Sequence, residues 1–253
     1  MAKSQSHQLG EFIGNFFEDL MKNPIREFSN RNGLYFDTNG PRKARNNRKT
    51  LSWKDVHGNS HRLDFVLEKG GTESVFGEPV AFIELAWRNY TKHSKNKVQE
   101  ISGAVNPISD KYKMSKPFKG AILSGVFTDG SLNQLKSEGF HVLYIPTKKM
   151  VQAFSTHGLD IDYGEGTSEV ELKKMFLAVS KKSNKTILEK VRQEILKTCE
   201  PEIKQFVSEL SASYNRQIKT ICILPLHGKR TEVQDIEKAI DYIHCYESLP
   251  DDS

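Results

Sequence analysis

Asp64 and Glu84 stand inside apolar runs, at positions where a β-strand ordinarily carries aliphatic side chains. Asp64 lies in "RLDFV" and Glu84 in "FIELAW", and both runs have the composition of strands. A carboxylate in such surroundings loses its hydration unless a positive group compensates for it. Neighbouring strands lie about 4.8 Å apart. Two carboxylates at that distance repel, so one takes up a proton unless a divalent cation lies between them.

The acid pair therefore predicts a hard metal ion and, with it, phosphodiester hydrolysis. Oxygen ligands alone suit Mg²⁺, for which Mn²⁺ can substitute, and such ions keep several waters and bind substrate phosphates. An ion of this kind polarises a phosphoryl oxygen and lowers the pKa of the attacking water. Two other interpretations stay open here. Asp64 could accept a backbone hydrogen bond near a turn, and Glu84 could form a buried ion pair with Arg88 on the same strand face.

Basic residues cluster in the segments around these acids. Residues 40–50 contain five cations and no acid, residues 88–97 contain four and no acid, and residues 110–119 contain four against one aspartate. Such clustering is typical of a surface that contacts a phosphate backbone, because each neutralised phosphate releases counterions. Basic loops that only keep the protein soluble are the alternative. The predicted nucleic-acid contacts are Arg42, Lys43, Arg45, Arg48, Arg88, Lys92 and Gln99.

Hydrophobic periodicity predicts the elements that hold these residues. Apolar residues at helical spacing predict a helix over residues 8–22, which Asn23-Pro24 ends or makes restart. The basic stretch over 30–49 is predicted to be a loop, and the runs on either side of "HGNS" a hairpin of antiparallel strands. The remaining predictions, in chain order, are a central strand apolar on both faces (77–87), a helix from about 91 or 94 to 111, a strand (120–127), a capped helix ending at Gly139, and a strand (140–146).

The C-terminal part has a different character. Three charged helices are predicted after residue 165, followed by an apolar strand in "KTICILPL" and a final helix. The chain is therefore predicted to be an α/β protein in two parts. Residues 1–160 form the core with the mixed sheet, and residues 161–253 form a mainly helical region for dimerisation or DNA contact.

Composition indicates a soluble globular protein in a reducing compartment. Of 253 residues, 37% are hydrophobic and 27% charged, with a net charge of +5, as in ordinary soluble domains. The sequence has no run of 18 apolar residues that would predict a transmembrane helix. Acids within the N-terminal apolar stretch argue against a secretory signal. Three widely spaced cysteines fit reduced thiols in a cytoplasm better than a disulfide framework.

The predicted order αβββαβ, with Asp64 on the second strand and Glu84 on the third, resembles the PD-(D/E)xK nuclease superfamily, which includes restriction endonucleases, Holliday-junction resolvases and Mrr-type enzymes. "GNFFEDL" resembles the Gly-x-x-x-Glu helix of archaeal resolvases. "GAILSGVFTDGSLNQLKSEGFHVLYIP" resembles the tail of the Mrr-type catalytic domain. The resemblance covers about residues 8–146. It implies a restriction-endonuclease-like mixed central sheet flanked by helices, and Mg²⁺-dependent DNA cleavage that leaves a 5′-phosphate, often by a homodimer.

The sequence departs from the family pattern at one position. The family's lysine stands two residues after the glutamate, and this chain has Ala86 there. That lysine helps to orient the water and to stabilise the transition state, and some members supply it from the following helix. On a wheel of about 100° per residue, Ser94 lies at the centre of the buried face and Lys97 about 60° from it. Lys97 is therefore the first candidate and Lys95 the second, with Lys92 as a third if it precedes the helix.

Glu18 lies in the resolvase-like motif, from which a role in the metal shell can be carried over. It falls almost opposite the apolar stripe of its helix, so its packing does not aim it at the sheet.

Two functions of different classes follow. The first is a Mg²⁺-dependent endonuclease of a restriction or anti-phage defence system, in which Asp64 and Glu84 hold the metal and Lys97 or Lys95 assists the water. The alternative is a catalytically inactive nuclease-fold subunit that binds DNA for a partner protein.

Overall fold

The computed structural model describes residues 5–164 and 166–247, and the side chains of these residues except 5, 6, 91–93 and 247. It is a mixed α/β protein. The helices are α1 (Gln5–Arg31), α2 (Thr91–Lys111), α3 (Asp129–Ser137), α4 (Thr147–Thr156), α5 (Glu169–Lys182), α6 (Lys185–Thr198), α7 (Glu200–Tyr214) and α8 (Ile236–Glu247). The strands are β1 (Leu34–Thr38), β2 (Ser52–Lys54), β3 (Ser60–Arg62), β4 (Phe65–Lys69), β5 (Glu78–Arg88), β6 (Phe118–Gly125), β7 (His141–Pro146), β8 (Ile221–Ile223) and β9 (Thr231–Val233).

A five-stranded mixed sheet with the order β1-β4-β5-β6-β7 forms the centre of the structure. The pairs β1–β4 and β4–β5 are antiparallel, whereas β5–β6 and β6–β7 are parallel. The predicted central position of β5 is thus confirmed, as are α2 and the β6–α3–β7 unit. Thr128 caps α3 by accepting a hydrogen bond from the Ser131 N–H.

Alternation along β5 directs its side chains into two separate hydrophobic cores. Ile83 and Leu85 pack in the core that contains α1 and the helices α4 to α7. Phe82 and Ala86 pack in the core that contains α2 and α3. An acid at position 84 shares a face with Phe82 and Ala86, so the fold points it towards α2.

The N-terminal region contains more regular structure than the sequence predicts. Helix α1 continues through Pro24 to Arg31, because Ile25 and Phe28 remain buried in the core beyond the proline and hold the chain there. The stretch predicted as a loop contains β1 and a short 3₁₀ helix at Lys43–Arg45. Both elements depend on contacts with residues distant in sequence, which a local pattern does not reveal.

The predicted hairpin is present, but its second strand is interrupted. Strands β2 and β3 form a two-stranded sheet of their own. The chain then bends at Asp64 before β4 enters the main sheet. The prediction that Asp64 lies in mid-strand is therefore wrong, since the residue lies at the junction of two strands.

The chain forms two compact units, Met1–Tyr214 and Asn215–Ser253. Helices α5, α6 and α7 bury side chains in the same core as α1, so they belong to the first unit. The predicted boundary at residue 160 therefore falls inside that unit. In the second unit, β8 pairs with β9, which the sequence did not predict, and α8 contacts both strands. Among the described residues, no helix is long and apolar enough to cross a membrane.

Candidate active site

The sheet register brings Asp64 and Glu84 together. Phe65 of β4 pairs with Ile83 of β5 in an antiparallel ladder. Because the strands run antiparallel, Asp64, the residue before Phe65, lies beside Glu84, the residue after Ile83. The Leu85 backbone N–H donates a hydrogen bond of 2.8 Å to Asp64 Oδ2, which fixes this carboxylate against β5. The predicted convergence of the two acids is present, although one of them stands in a bend.

Lys97 of α2 completes the cluster. Its Nζ lies 3.7 Å from Glu84 Oε2 and 3.5 Å from Glu100 Oε2. Ser94 and Val98 on the same helix are fully buried, and the Lys97 side chain is 18% exposed. The wheel prediction that Lys97 lies at the edge of the buried face is confirmed. An ammonium group from α2 thus reaches Glu84, whose own strand has Ala86 instead of a lysine two residues further on.

The positive groups near Asp64 and Glu84 do not fully compensate for the burial of the two carboxylates. Burial raises the pKa of Glu84 to about 8, the nearby Asp64 charge adds to this rise, and Lys97 opposes it. Burial also raises the pKa of Asp64 against the Leu85 N–H and the Lys97 charge, which lower it. Glu84 is 5% exposed, and its Oε1 has no hydrogen-bond partner among the described residues. A further cation at this pair would relieve both conditions.

An open cleft of about 680 Å³ gives solvent and ligands access to Asp64 and Lys97 of this cluster. Asp64 and Lys97 lie on one wall, Arg88 and Asn89 continue it, and α1 supplies the other wall. One alternative interpretation was a buried ion pair between Glu84 and Arg88, and this pair is absent among the described residues. Arg88 Nη1 donates to the Trp87 carbonyl at 2.8 Å, and its charge lowers the pKa of Asp64.

Glu18 lies in this cleft, contrary to the expectation from the packing of α1. It lines the α1 wall, and its negative charge contributes to the raised pKa of Asp64. It also forms an ion pair of 3.3 Å with Lys22. The helix wheel failed because the cleft runs beside the buried stripe rather than over it. The Gly-x-x-x-Glu spacing was the signal that pointed to this position.

The donor set fits Mg²⁺ or Mn²⁺ better than a metal that requires an all-protein shell. Among the described residues, no three His, Cys, Asp or Glu side chains group to hold a metal ion. The carboxylates of Asp64 and Glu84 remain, and Glu84 Oε1 has no hydrogen-bond partner among the described residues. Mg²⁺ ordinarily takes one or two carboxylates together with waters and substrate phosphate. Asp64 and Glu84 are the residues that would hold the ion.

Two of the predicted nucleic-acid contacts are structural residues. Arg42 is 1% exposed, and its guanidinium binds Asp37 and Glu68, whose carboxylates are themselves buried. Arg45 is 7% exposed and also binds Asp37. The prediction that these arginines contact a phosphate backbone is wrong, because each is needed to neutralise an acid inside the protein.

The other predicted contacts differ in their surroundings. Lys43, Arg48, Lys95 and Gln99 are exposed, and Arg88 is half-buried in the cleft wall. The side chain of Lys92 lies outside the described residues, although its backbone belongs to α2. Of the three candidate lysines, Lys97 is therefore the one whose described position meets the acid pair.

Comparisons with known proteins add little to these observations. No protein-family model matches the sequence, and no curated protein matches it. A crystal structure of a protein of unknown function, AF1548, aligns with a TM-score of 0.32 and 11% identity, over 75% of this chain and 98% of that one. A similarity this low carries no argument about fold or function.

Proposed function

We propose that the protein is a metal-dependent DNA endonuclease that hydrolyses phosphodiester bonds, on a restriction-endonuclease-like sheet. The observation that carries this proposal is the meeting of Asp64, Glu84 and Lys97, from the bend before β4, from β5 and from α2, beside an open cleft that Asp64 and Lys97 line. A purely structural ion pair would not need two acids, one of them with a buried oxygen that has no hydrogen-bond partner among the described residues, beside an open cleft.

Each residue has a distinct role in the proposed reaction. Asp64 and Glu84 would hold Mg²⁺, which would supply polarisation of the phosphoryl group and a lower pKa of the attacking water. The Leu85 N–H keeps Asp64 oriented. Lys97 places a positive charge beside Glu84, where it orients the attacking water and stabilises the negative charge that develops on the phosphate. Arg88, further along the same wall, is positioned to bind a substrate phosphate.

A homodimer and a role in a restriction or defence system remain predictions from the resemblance. The inactive DNA-binding subunit is the competing function, and Ala86 is the residue that favours it.

The decisive experiment compares wild-type protein with Asp64→Ala on plasmid, linear duplex, single-stranded DNA and RNA, each with Mg²⁺, Mn²⁺ or EDTA. We expect cleavage of DNA with either metal, none with EDTA, and a loss of about 10³-fold or more in the variant. DNA binding should persist or strengthen in the variant. Asp110→Asn, an exposed acid on α2, serves as the matched control.

The outcomes separate the two functions. Cleavage that survives Asp64→Ala contradicts the metal-nuclease proposal. Wild-type protein that binds DNA and cleaves none of the substrates with either metal favours the inactive subunit instead.

A further inference from the structure

Residues 39–51 form a loop that connects β1 to β2, called here the basic loop. The segment from 39 to 54 contains no acidic residue. Its two ends are joined, because the Gly40 N–H donates to the Lys49 carbonyl at 2.7 Å and the Leu51 N–H donates to Asn39 Oδ1 at 3.0 Å. The loop is therefore closed at its base.

The base of the basic loop lies at the same end of the sheet as the acid pair. Thr38, which precedes the loop, pairs with Phe65, the residue after Asp64. Leu51, the last residue of the loop, accepts a hydrogen bond of 3.1 Å from the N–H of Leu63, the residue before Asp64. Both ends of the loop are thus attached to the residues that flank Asp64.

Two buried guanidinium groups hold the interior of the loop. Arg42 binds Asp37 and Glu68 and donates to the carbonyls of Thr72 and Val75 at 2.7 and 2.8 Å. Arg45 binds Asp37 and donates to the Gly40 carbonyl at 2.7 Å. Breaking such buried networks is strongly unfavourable, so the loop keeps one conformation. Asn46 and Asn47 in this loop adopt left-handed backbone conformations, with φ of 53° and 60°.

The cations that remain exposed on this loop are Lys43, Arg48 and Lys49. Lys43 lies beside an acid, since its N–H donates to Glu73 Oε1 at 3.1 Å. Arg48 and Lys49 stand next to the closed base, and within the described part of the chain no salt bridge involves either side chain. The loop therefore presents two cations next to a base that is attached to the residues on either side of Asp64.

We propose that the basic loop is a preformed contact surface for the phosphate backbone of duplex DNA, with Arg48 and Lys49 as its contact residues. The inference rests on the proposed function, because it makes this surface the place where the substrate is held beside Asp64 and Glu84. Arg42 and Arg45 act only as positioning residues. A loop already fixed in the free protein loses little conformational entropy when it binds DNA.

Binding measured without metal tests the proposal separately from cleavage. Fluorescence anisotropy of a labelled duplex is recorded in EDTA over a series of salt concentrations for wild type, for Arg48→Gln/Lys49→Gln, and for Lys173→Gln/Lys181→Gln. The last pair removes two exposed charges from α5 as a matched control. We expect the loop variant to bind about tenfold or more weakly and the slope of log K against log salt to fall by about 2. The α5 control should keep the wild-type slope.

Unchanged affinity and slope in the loop variant would overturn the inference and leave the proposed nuclease untouched. Wild-type protein with no affinity for duplex DNA at low salt would also overturn it. Conversely, a loop variant that loses binding while the wild type cleaves nothing would remove the nuclease proposal and retain the contact surface.

The positioning role of Arg42 has its own readout. Arg42→Lys keeps the charge and loses the forked hydrogen bonds. We expect faster trypsin cleavage within residues 39–51, mapped by mass spectrometry, and weaker DNA binding although this residue is buried. If Arg42→Lys does not fold, Arg45→Lys is used for the same measurement. A loop that stays resistant in the folded variant contradicts the claim that the guanidinium holds it.

Discussion

Glu84 occupies a position where its own strand provides no compensation for its charge. Its neighbours on the same face, Phe82 and Ala86, are apolar, and the cation nearest to it comes from α2. Burial and the Asp64 charge raise its pKa to about 8. The buried charge of Glu84 thus interacts with residues from a bend and from a helix. Its raised pKa determines the pH range in which the protein's stability should change, and its neighbours determine which substitutions test the proposed function.

Lys97 and Lys95 provide a matched pair within one helical turn. Lys97→Met removes the ammonium group 3.7 Å from Glu84. We expect the cleavage rate to fall about 10²- to 10³-fold, a magnitude typical of losing one group that stabilises transition-state charge. Lys95 is exposed, and Lys95→Met should change the single-turnover rate by less than about threefold. Equal losses in the two variants would contradict the assignment of Lys97.

The raised pKa of Glu84 predicts an unusual dependence of stability on pH. Between its ordinary value of 4.5 and about 8, the folded protein holds a proton that the unfolded chain has released. Stability in EDTA therefore falls as pH rises through this window. The raised pKa of Asp64 acts in the same direction. We expect the Tm to drop by roughly 4 °C or more between pH 6.5 and 8.5.

Two comparisons check the origin of this slope. Glu84→Gln keeps the shape without the ionisation and should flatten the Tm profile. Mg²⁺ or Mn²⁺ should raise the Tm of the wild type most at pH 8.5, where the ligands are deprotonated. A Glu84→Gln protein with the wild-type slope would assign the effect to other groups.

At the scale of elements, buried charge decides how the edge of the sheet is built. Strand β1 and the basic loop are held against β4 by Arg42, which lies between Asp37 of β1 and Glu68 of β4. The same guanidinium stacks on the Tyr35 and Phe76 rings at 4.2 and 4.8 Å from their centroids. One side chain thus joins a strand, a loop and the turn that precedes β5.

Arg42→Met should therefore destabilise the protein strongly. It would leave Asp37 and Glu68 buried without their shared partner, and such a loss costs about 3–5 kcal/mol in the free energy of unfolding. Arg48→Met, on the exposed part of the same loop, should change it by less than about 0.5 kcal/mol. Urea unfolding followed by circular dichroism measures both. Similar values for the two variants would contradict the structural role of Arg42.

The junction of β5 and β6 depends on a glycine. Gly125 has a φ of 106°, and a Cβ at this position would lie 2.0 Å from the Arg88 carbonyl oxygen. Gly125→Ala should destabilise the protein by more than about 2 kcal/mol and displace Arg88 from the cleft. Gly103→Ala, in the middle of α2 with open space around it, should instead stabilise the protein by up to about 1 kcal/mol. Thermal unfolding of the two variants distinguishes strain from simple glycine flexibility.

At the scale of the whole molecule, the candidate active site and its supporting layers lie in one compact unit. The sheet, α1 and α2 belong to Met1–Tyr214, and α5, α6 and α7 contribute to the same core. The second unit, Asn215–Ser253, contains the β8–β9 pair and α8.

A protein truncated after Tyr214 should therefore fold and retain metal-dependent cleavage. We expect a cooperative thermal transition and a single-turnover rate within about threefold of the full chain, because the truncation removes no described residue of the cleft. A fragment that folds and has lost cleavage would show that the second unit contributes to the reaction. A fragment without a cooperative transition would contradict the independence of the first unit.

The sequence alone determined the elements whose pattern is local. Alternating and helical spacing of apolar residues identified β5 as a central strand and placed Lys97 at the edge of the buried face of α2, because these patterns follow from the backbone periods themselves. The convergence of Asp64 and Glu84 was also predicted from the adjacency of their strands, although Asp64 lies in the bend before β4 rather than within a strand. Only the tertiary structure decided which cations are buried. Arg42 meets Glu68, 26 residues away, and Glu18 enters the cleft beside Asp64. The burial of a charge depends on partners that are distant in sequence, and no local spacing specifies them.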